Sequence, residues 1–446
     1  MPAAIANMAE ILDQRKLGAF QKFVIALCTA IVFVEGMNAQ SAGYVAPALR
    51  AAWGLSPSEL GFFFSSGLTG LMFGGVFVAP LADRVGRRPI LIGCVALFGL
   101  CSIASASSAS ITMLDGFRFL TGLGIGGAMP NAIALTAEYS PLRRRSAMVA
   151  VMVTGFIFGS IFAGLVAAPL VPDWGWQSVF VIGGVLPLLL LPLLFYTLPE
   201  SLRFLVVHNG ERATIAKLVR RIDPAVEIDA QTRLVIEEHT ASGLGVLALF
   251  REGRARSTVL LWIIYFMSLL NLYLFASWLT THVREAGLSE GTAILVGTMF
   301  QVGGAFGGLF GWMADRAGPS RSIFTAYLIG AAGIACIGFA QANLVMLTFA
   351  VFVAGFGIIG GQTAANALAA MSYPTQIRST GVGWATGIGR AGSIVGPGLA
   401  GILVQFGMST QNVFYLAVIP AVCASLAGAS LNGLRRPAAA KESAPA

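Results

Sequence analysis

The chain has 446 residues, 56% of them hydrophobic and only 11% charged, with a net charge of +8. A soluble chain of this length divides into several domains and carries about 25% charged residues. Here charge is missing from whole stretches, which excludes a soluble multidomain protein and directs the reading to a membrane. The five cysteines, Cys28, Cys94, Cys101, Cys336 and Cys423, all fall in apolar stretches, with no disulfide or metal spacing. No Ser/His/Asp set or phosphate loop is evident, and His208, His239 and His282 fall in loops or at span ends. An enzyme, a cofactor and a metal are therefore not expected.

Residues 1–19 are polar and of mixed charge, and a cleavable signal is not expected there. Twelve apolar runs follow, each near the roughly 20 residues a helix needs to cross about 30 Å of hydrocarbon. Backbone groups in lipid must bond within their own segment, so each run is expected to be a helix. Span 1 (20–49) carries Glu35, Asn38, Gln40 and Tyr44. Span 2 (60–81) leads into the charged loop Ala82-Asp83-Arg84-Val85-Gly86-Arg87-Arg88, and span 3 (90–107) follows. Span 4 (111–137) carries Asp115, Arg118 and Asn131, then exits through Glu138, Tyr139, Pro141 and the run Arg143, Arg144, Arg145. Spans 5 (147–171) and 6 (177–198) complete a first half.

A hydrophilic stretch, 199–257, contains two helix-like segments rich in charge, 211–222 and 229–240. It is expected to be a linker rather than a catalytic domain. Span 7 (258–281) brings Tyr273 and Trp278; span 8 (291–313) brings Gln301 and leads to Ala314-Asp315-Arg316-Ala317-Gly318. Span 9 (322–340) is followed by span 10 (343–370), with Gln362 and Asn366. Span 11 (380–405) holds Trp384 and Arg390, and span 12 (411–433) precedes a tail, 434–446, expected to be disordered. The expected architecture is all-α: twelve transmembrane helices in two pseudo-symmetric six-helix bundles, 20–198 and 258–433.

The halves repeat one another. The Ala-Asp-Arg-x-Gly loop at 82–86 returns at 314–318, and the glycine-rich 122–127 stretch of span 4 parallels 355–361 of span 10. Both glycine stretches match Gly-x-Gly-x-x-Gly, but a dinucleotide site needs a preceding strand and a βαβ unit. Small residues that let helices approach closely are the expected reading. If the N-terminus is cytoplasmic, 24 of the 28 Lys and Arg residues fall on the cytoplasmic side. The positive-inside rule favours that orientation, with both termini inside a bacterial-type inner membrane. It also accounts for the positive charge by contact with anionic lipid, without nucleic acid.

Ionisable residues inside spans are costly, by roughly 3 kcal/mol on insertion scales, and call for a reason. Glu35 lies near mid-membrane, where a carboxyl is more cheaply held as the neutral acid; it is suited to carrying a proton. The alternative is a glutamate kept for packing. Arg118 enters span 4 at a similar depth, and Arg390 lies within span 11. A guanidinium is a planar fork that grips a carboxylate through two parallel hydrogen bonds, so such arginines suit an organic anion. The alternatives are that Arg118 is a partner of Glu35 or of Asp115, one turn outward, and that Arg390 is a helix clamp; Asp115 is expected, with Glu35, to take part in proton coupling. Asn38, Gln40, Tyr44, Asn131, Tyr273, Trp278, Gln301, Gln362, Asn366 and Trp384 are candidates to complete a pocket for a ring-bearing ligand. Asp83, Arg84, Gly86 and Arg87, with Glu138 and Arg145 and the second copy Asp315 and Arg316, are expected to form gates on the charged face.

These motifs resemble the major facilitator superfamily over essentially the whole chain. Ala79-Pro80-Leu81-Ala82-Asp83-Arg84-Val85-Gly86-Arg87-Arg88 is similar to its signature between helices 2 and 3, with Ala79 where glycine is usual. Gly311 keeps that glycine in the second copy, where Pro319-Ser320 replaces the arginine pair. Arg118-x-x-x-Gly122 resembles the helix-4 signature, and Pro199-Glu200-Ser201 the exit of helix 6. Arg118 through Asn131, with Glu138-Tyr139-Ser140-Pro141, resembles the aromatic acid:proton symporters more narrowly. So does Glu35-Gly36-Met37-Asn38, where that family usually shows acid-Gly-x-Asp; Asn38 departs from it. Gln40-x-Ala42-Gly43 beside Glu35-Gly36 is more similar to the hydroxyphenylpropionate branch than to the hydroxybenzoate branch. The resemblance implies import of an aromatic carboxylate with protons by alternating access, by a protein functional as a monomer. Alternatives are a symporter of a non-aromatic organic acid and a proton-coupled drug antiporter. Exporters of that kind carry Gly-x-x-x-Gly-Pro in helix 5, whereas span 5 reads Gly155-x-x-x-Gly159-Ser160.

Overall fold

The computed structural model describes residues 17–208, 210–223, 245–340, 343–374 and 376–431, and the backbone of Ile5–Asn7 and Arg233–Val235. Among these residues, twelve helices are long and apolar enough to cross a membrane: Ala19–Trp53, Pro57–Val85, Arg87–Ala106, Ile111–Glu138, Leu142–Trp174, Gln177–Thr197, Ala255–Glu285, Glu290–Ala317, Pro319–Ala340, Leu344–Ser372, Arg378–Gln405 and Thr410–Ser430. They are spans 1 to 12 below. Most run past the apolar stretches, because polar caps set their ends. Ser56, Ser110, Ser289, Asn343 and Ser409 each accept a hydrogen bond from the backbone N–H three residues on. Each such cap contributes about 1 kcal/mol. All five lie on the face opposite the arginine-rich loops.

Two spans are broken at matching places. Span 2 widens into a π-turn at Gly74–Val78 and tightens at Ala79–Leu81 before its charged loop. Span 8 is interrupted at Gly307. Between the halves, Leu202–Val207 and Arg212–Ile222 are helical, and the second of these buries Ile215, Leu218 and Val219 against the first half. The expected second linker helix, 229–240, lies outside the described residues except for Arg233–Val235. That segment is extended and pairs in parallel with Ile5–Asn7, so at those three positions the helical expectation is corrected. The tail at 434–446 lies outside the described residues.

The glycine-rich stretches lie inside long helices, Ile111–Glu138 and Leu344–Ser372, and pack helix against helix. A Cβ on Gly122 would strike the Gly67 carbonyl, and one on Gly126 the Leu71 carbonyl, so spans 2 and 4 meet backbone to backbone. In the second half Gly355 stands in the same way against the Phe300 carbonyl. Gly116, on the same helix as Gly122, has open space around its Cβ position. Gly122→Val is therefore expected to destabilise the protein by about 1–3 kcal/mol or prevent folding, while Gly116→Val leaves the thermal midpoint in detergent unchanged.

The halves are joined unevenly. One hydrophobic cluster is shared, running from Tyr44, Leu60 and Phe63 into Trp278, Ile294 and Phe300. A second, around Cys28, Phe98, Leu135 and Tyr139, stays within the first half. Side-chain hydrogen bonds cross between the halves. Gln40 Nε2 donates to the Ala276 carbonyl (3.0 Å), Gln301 Nε2 to Gln40 Oε1 (2.9 Å), Ser65 Oγ to the Ile394 carbonyl (3.0 Å), and Arg50 to Glu285 (2.6 Å). All lie at mid-depth or toward the face opposite the arginine-rich loops. On the arginine-rich face no hydrogen bond or ion pair joins the halves among the described residues.

Candidate functional site

A pocket of about 120 Å³ lies at mid-depth between the halves. Its polar lining is Gln40 from span 1, Arg118 from span 4, Tyr273 and Ser277 from span 7, and Gln301 from span 8. Phe64 and Phe156 supply aromatic walls, and Leu68, Leu71, Ile125 and Ile359 aliphatic ones. Phe64 also packs edge-on against Trp278, with ring centroids 5.6 Å apart, closing the pocket on the cap-rich side.

Arg118 is 5% exposed. Its Nη1 donates to Ser41 Oγ at 3.4 Å and its Nη2 to the Asn38 carbonyl at 3.3 Å, both long contacts. Its Nε has no hydrogen-bond partner among the described residues. The guanidinium carbon lies over the Phe180 ring, 5.5 Å from its centroid, within cation–π range. A cation with loosely filled donors at a pocket wall is equipped to take an anion. Among the described residues, Arg118 forms no ion pair with Glu35 or with Asp115.

Glu35 is fully buried, neither of its oxygens has a partner among the described residues, and it does not line the pocket. Asn38, three residues on, is likewise buried, its Nδ2 donating to the Val34 carbonyl (3.1 Å) and the Gly183 carbonyl (2.6 Å), its Oδ1 unpartnered. Asn38 faces spans 3 and 6 and Glu35 lies near Cys94 of span 3, both within the first half rather than in the pocket. Asp115 lines a separate groove between spans 2 and 4 with Glu59, Ser65 and Thr69. Arg390 donates to the Tyr273 hydroxyl at 3.1 Å and so stands one side chain behind the pocket wall.

Other predicted substrate contacts lie away from the pocket. Asn131 donates to the Ala79 carbonyl (3.3 Å) and to the Gly127 carbonyl of its own helix (2.8 Å), fastening span 4 to the tight turn of span 2. Gln362 donates to Asn366 (3.0 Å), which also accepts from the Tyr265 hydroxyl (2.8 Å), a network inside the second half. Tyr44 donates to the Ser160 carbonyl, and Trp278 to the Pro397 carbonyl. Trp384 stacks on Trp262. The pocket residues that the sequence did not mark are mainly apolar, Phe64 and Phe156 among them, together with Ser277.

The charged loop of the first half is tied to its own bundle. Glu200 Oε1 accepts from the backbone N–H groups of Arg87 (2.8 Å), Arg88 (3.2 Å) and Ser201 (2.8 Å). Arg87 pairs with Glu138, whose other oxygen accepts from Ser201 Oγ at 2.5 Å. Gly86 has φ 106°, and a Cβ there would also collide with Glu200, so only glycine fits the turn. Arg145 Nε donates to the Ala137 carbonyl at 3.0 Å. Asp83 and Arg84 are exposed, and neither makes a hydrogen bond or ion pair among the described residues. In the second copy Arg316 lies over the Trp312 ring at 4.3 Å, and Asp315 is exposed. Glu200, the hub of the network, was legible only as part of the helix-6 exit motif.

Twelve membrane-length helices among the described residues, in two matching halves with a mid-depth pocket between them, define a polytopic solute-carrier fold. The chain belongs to the major facilitator superfamily, whose model matches residues 28–250 and 261–446, and its relatives there are aromatic-acid transporters rather than enzymes. The 4-hydroxybenzoate transporter PcaK of Pseudomonas aeruginosa is 40% identical over 430 residues, 96% of each chain. The 3-(3-hydroxy-phenyl)propionate transporter of Escherichia coli is 36% identical over 407 residues, 90% of this chain and 92% of that one. The fold also matches a crystal structure of a bacterial homolog of the human lysosomal transporter Spinster. That match has a TM-score of 0.73 and 17% identity, covering 92% of this chain and 96% of that one.

Proposed function

We propose that this protein imports an aromatic monocarboxylate together with protons by alternating access, as a monomer in a bacterial inner membrane. The observation that carries this reading is Arg118, a buried guanidinium with unfilled donor capacity at the wall of an aromatic-lined pocket between the halves. The fork takes the carboxylate and the aromatic walls take the ring. With the arginine-rich face in the cytoplasm, the arrangement reads as inward-facing, because the bonds between described residues of the two halves lie at mid-depth and toward the opposite side. In the other state the two bundles rock about the pocket, and Asp83 and its loop latch the cytoplasmic side. Glu35 carries the proton, since a fully buried carboxyl with no hydrogen-bond partner among the described residues is accommodated there as the neutral acid.

The test is uptake into proteoliposomes with an alkaline interior. Labelled 4-hydroxybenzoate, benzoate and 3-hydroxyphenylpropionate are offered with and without the pH gradient. Gradient-dependent accumulation of at least one is expected. If none accumulates, the reading is wrong, and efflux of a cationic dye that depends on Glu35 would point to an antiporter instead.

A further inference from the structure

We infer that the Gln40–Gln301 amide pair is the subsite that reads a hydroxyl on the ring of the transported acid. This rests on the carboxylate reading of Arg118 given above and concerns the pocket wall that faces the second half.

The two side chains are 7% and 5% exposed and line the same pocket as Arg118. Gln301 Nε2 donates to Gln40 Oε1, and Gln40 Nε2 donates to the Ala276 carbonyl. A primary amide has two N–H donors and two lone pairs on its oxygen. Each amide nitrogen therefore keeps one N–H to give, Gln40 Oε1 keeps one lone pair, and Gln301 Oε1 keeps both. This mixed donor and acceptor capacity matches a hydroxyl, which gives one hydrogen bond and accepts others. A bare ring edge would leave it unfilled, and buried polar groups left unfilled are what make such sites reject the analogue that lacks the hydroxyl.

The same geometry argues against a second carboxylate at this end. The other intramembrane arginine, Arg390, does not line the pocket and is engaged by the Tyr273 hydroxyl. A dicarboxylate would meet one fork and one neutral amide pair, leaving its second charge without a cation. Arg390 acts as a positioning residue that orients Tyr273. The favoured ligand is thus a monocarboxylate with a neutral, hydroxyl-type substituent.

The experiment is equilibrium binding to purified protein in detergent, with 3- and 4-hydroxybenzoate, benzoate and terephthalate as probes. In the wild type, one hydroxybenzoate is expected to bind about tenfold or more tighter than benzoate. Terephthalate is expected to be weaker than both. Gln301→Leu should collapse the hydroxybenzoate preference to about onefold while benzoate affinity stays within about threefold. Benzoate binding is the internal control for folding, and Gln301→Met, closer in shape, repeats the measurement. The inference is overturned if either variant keeps the preference, if both lose benzoate and hydroxybenzoate equally, or if terephthalate binds as well as hydroxybenzoate. Absence of binding by every aromatic acid in the wild type would instead remove the carboxylate reading itself.

Discussion

Replacing Arg118 with lysine is expected to weaken substrate binding by roughly thirtyfold, with a matching fall in transport at low substrate. Arg118 reaches its partners, Ser41 Oγ and the Asn38 carbonyl, at 3.4 and 3.3 Å, and its Nε has none among the described residues. A carboxylate arriving at the fork would fill these donors with two short, charge-assisted bonds. A lysine offers a point charge on a flexible stem and cannot reproduce the paired geometry. Losing one such bond costs about 2 kcal/mol, which is the thirtyfold figure. The lysine also forfeits the stacking of the planar guanidinium beside Phe180. Binding of a labelled aromatic acid to purified Arg118→Lys reads the effect directly. Unchanged affinity with reduced thermal stability would show that Arg118 serves only to hold span 4 against span 1.

The bundle architecture was plain in the sequence because lipid imposes a coarse code: long uncharged runs, charge confined to loops, and arginine on one side. The breaks in spans 2 and 8 were not, since Gly74 and Gly307 look like any other small residue in a glycine-rich membrane chain. At the pocket, polarity inside a span was a sound guide to which residues need a reason, but not to what the reason is. Asn38 and Gln40 illustrate this. Residues two apart on a helix do not share a face, so one of the pair had to turn away from the second half. The structure shows that Asn38 does so, because the bare backbone at Gly183 lets its amide reach a carbonyl. Asn131 is satisfied by carbonyls in the same way. Phe64 and Phe156 went unmarked because an aromatic side chain in an apolar chain carries no signal of its own.

Glu35→Gln is expected to abolish accumulation driven by a pH gradient while leaving exchange of internal for external substrate in place. Glutamine preserves the volume of this closed position, where neither oxygen of Glu35 has a hydrogen-bond partner among the described residues. It removes only the proton that the carboxyl can bind and release. Asn38, one turn along the same face, is an amide and cannot titrate, and Asp115 lines a different groove. The interior of span 1 therefore offers one proton-carrying group. One proton moving with one carboxylate transfers no net charge, so accumulation by the wild type should follow the pH gradient and ignore membrane potential. Each pH unit corresponds to about 1.4 kcal/mol, or about tenfold accumulation. A second proton would make the cycle carry one positive charge, and 100 mV would then add about 2.3 kcal/mol, close to fiftyfold. Proteoliposomes in which potassium and valinomycin set the potential independently of pH separate the two cases. Full accumulation by Glu35→Gln would remove Glu35 as the carrier, and a strong response to potential in the wild type would show that a further titrating group joins it during the cycle.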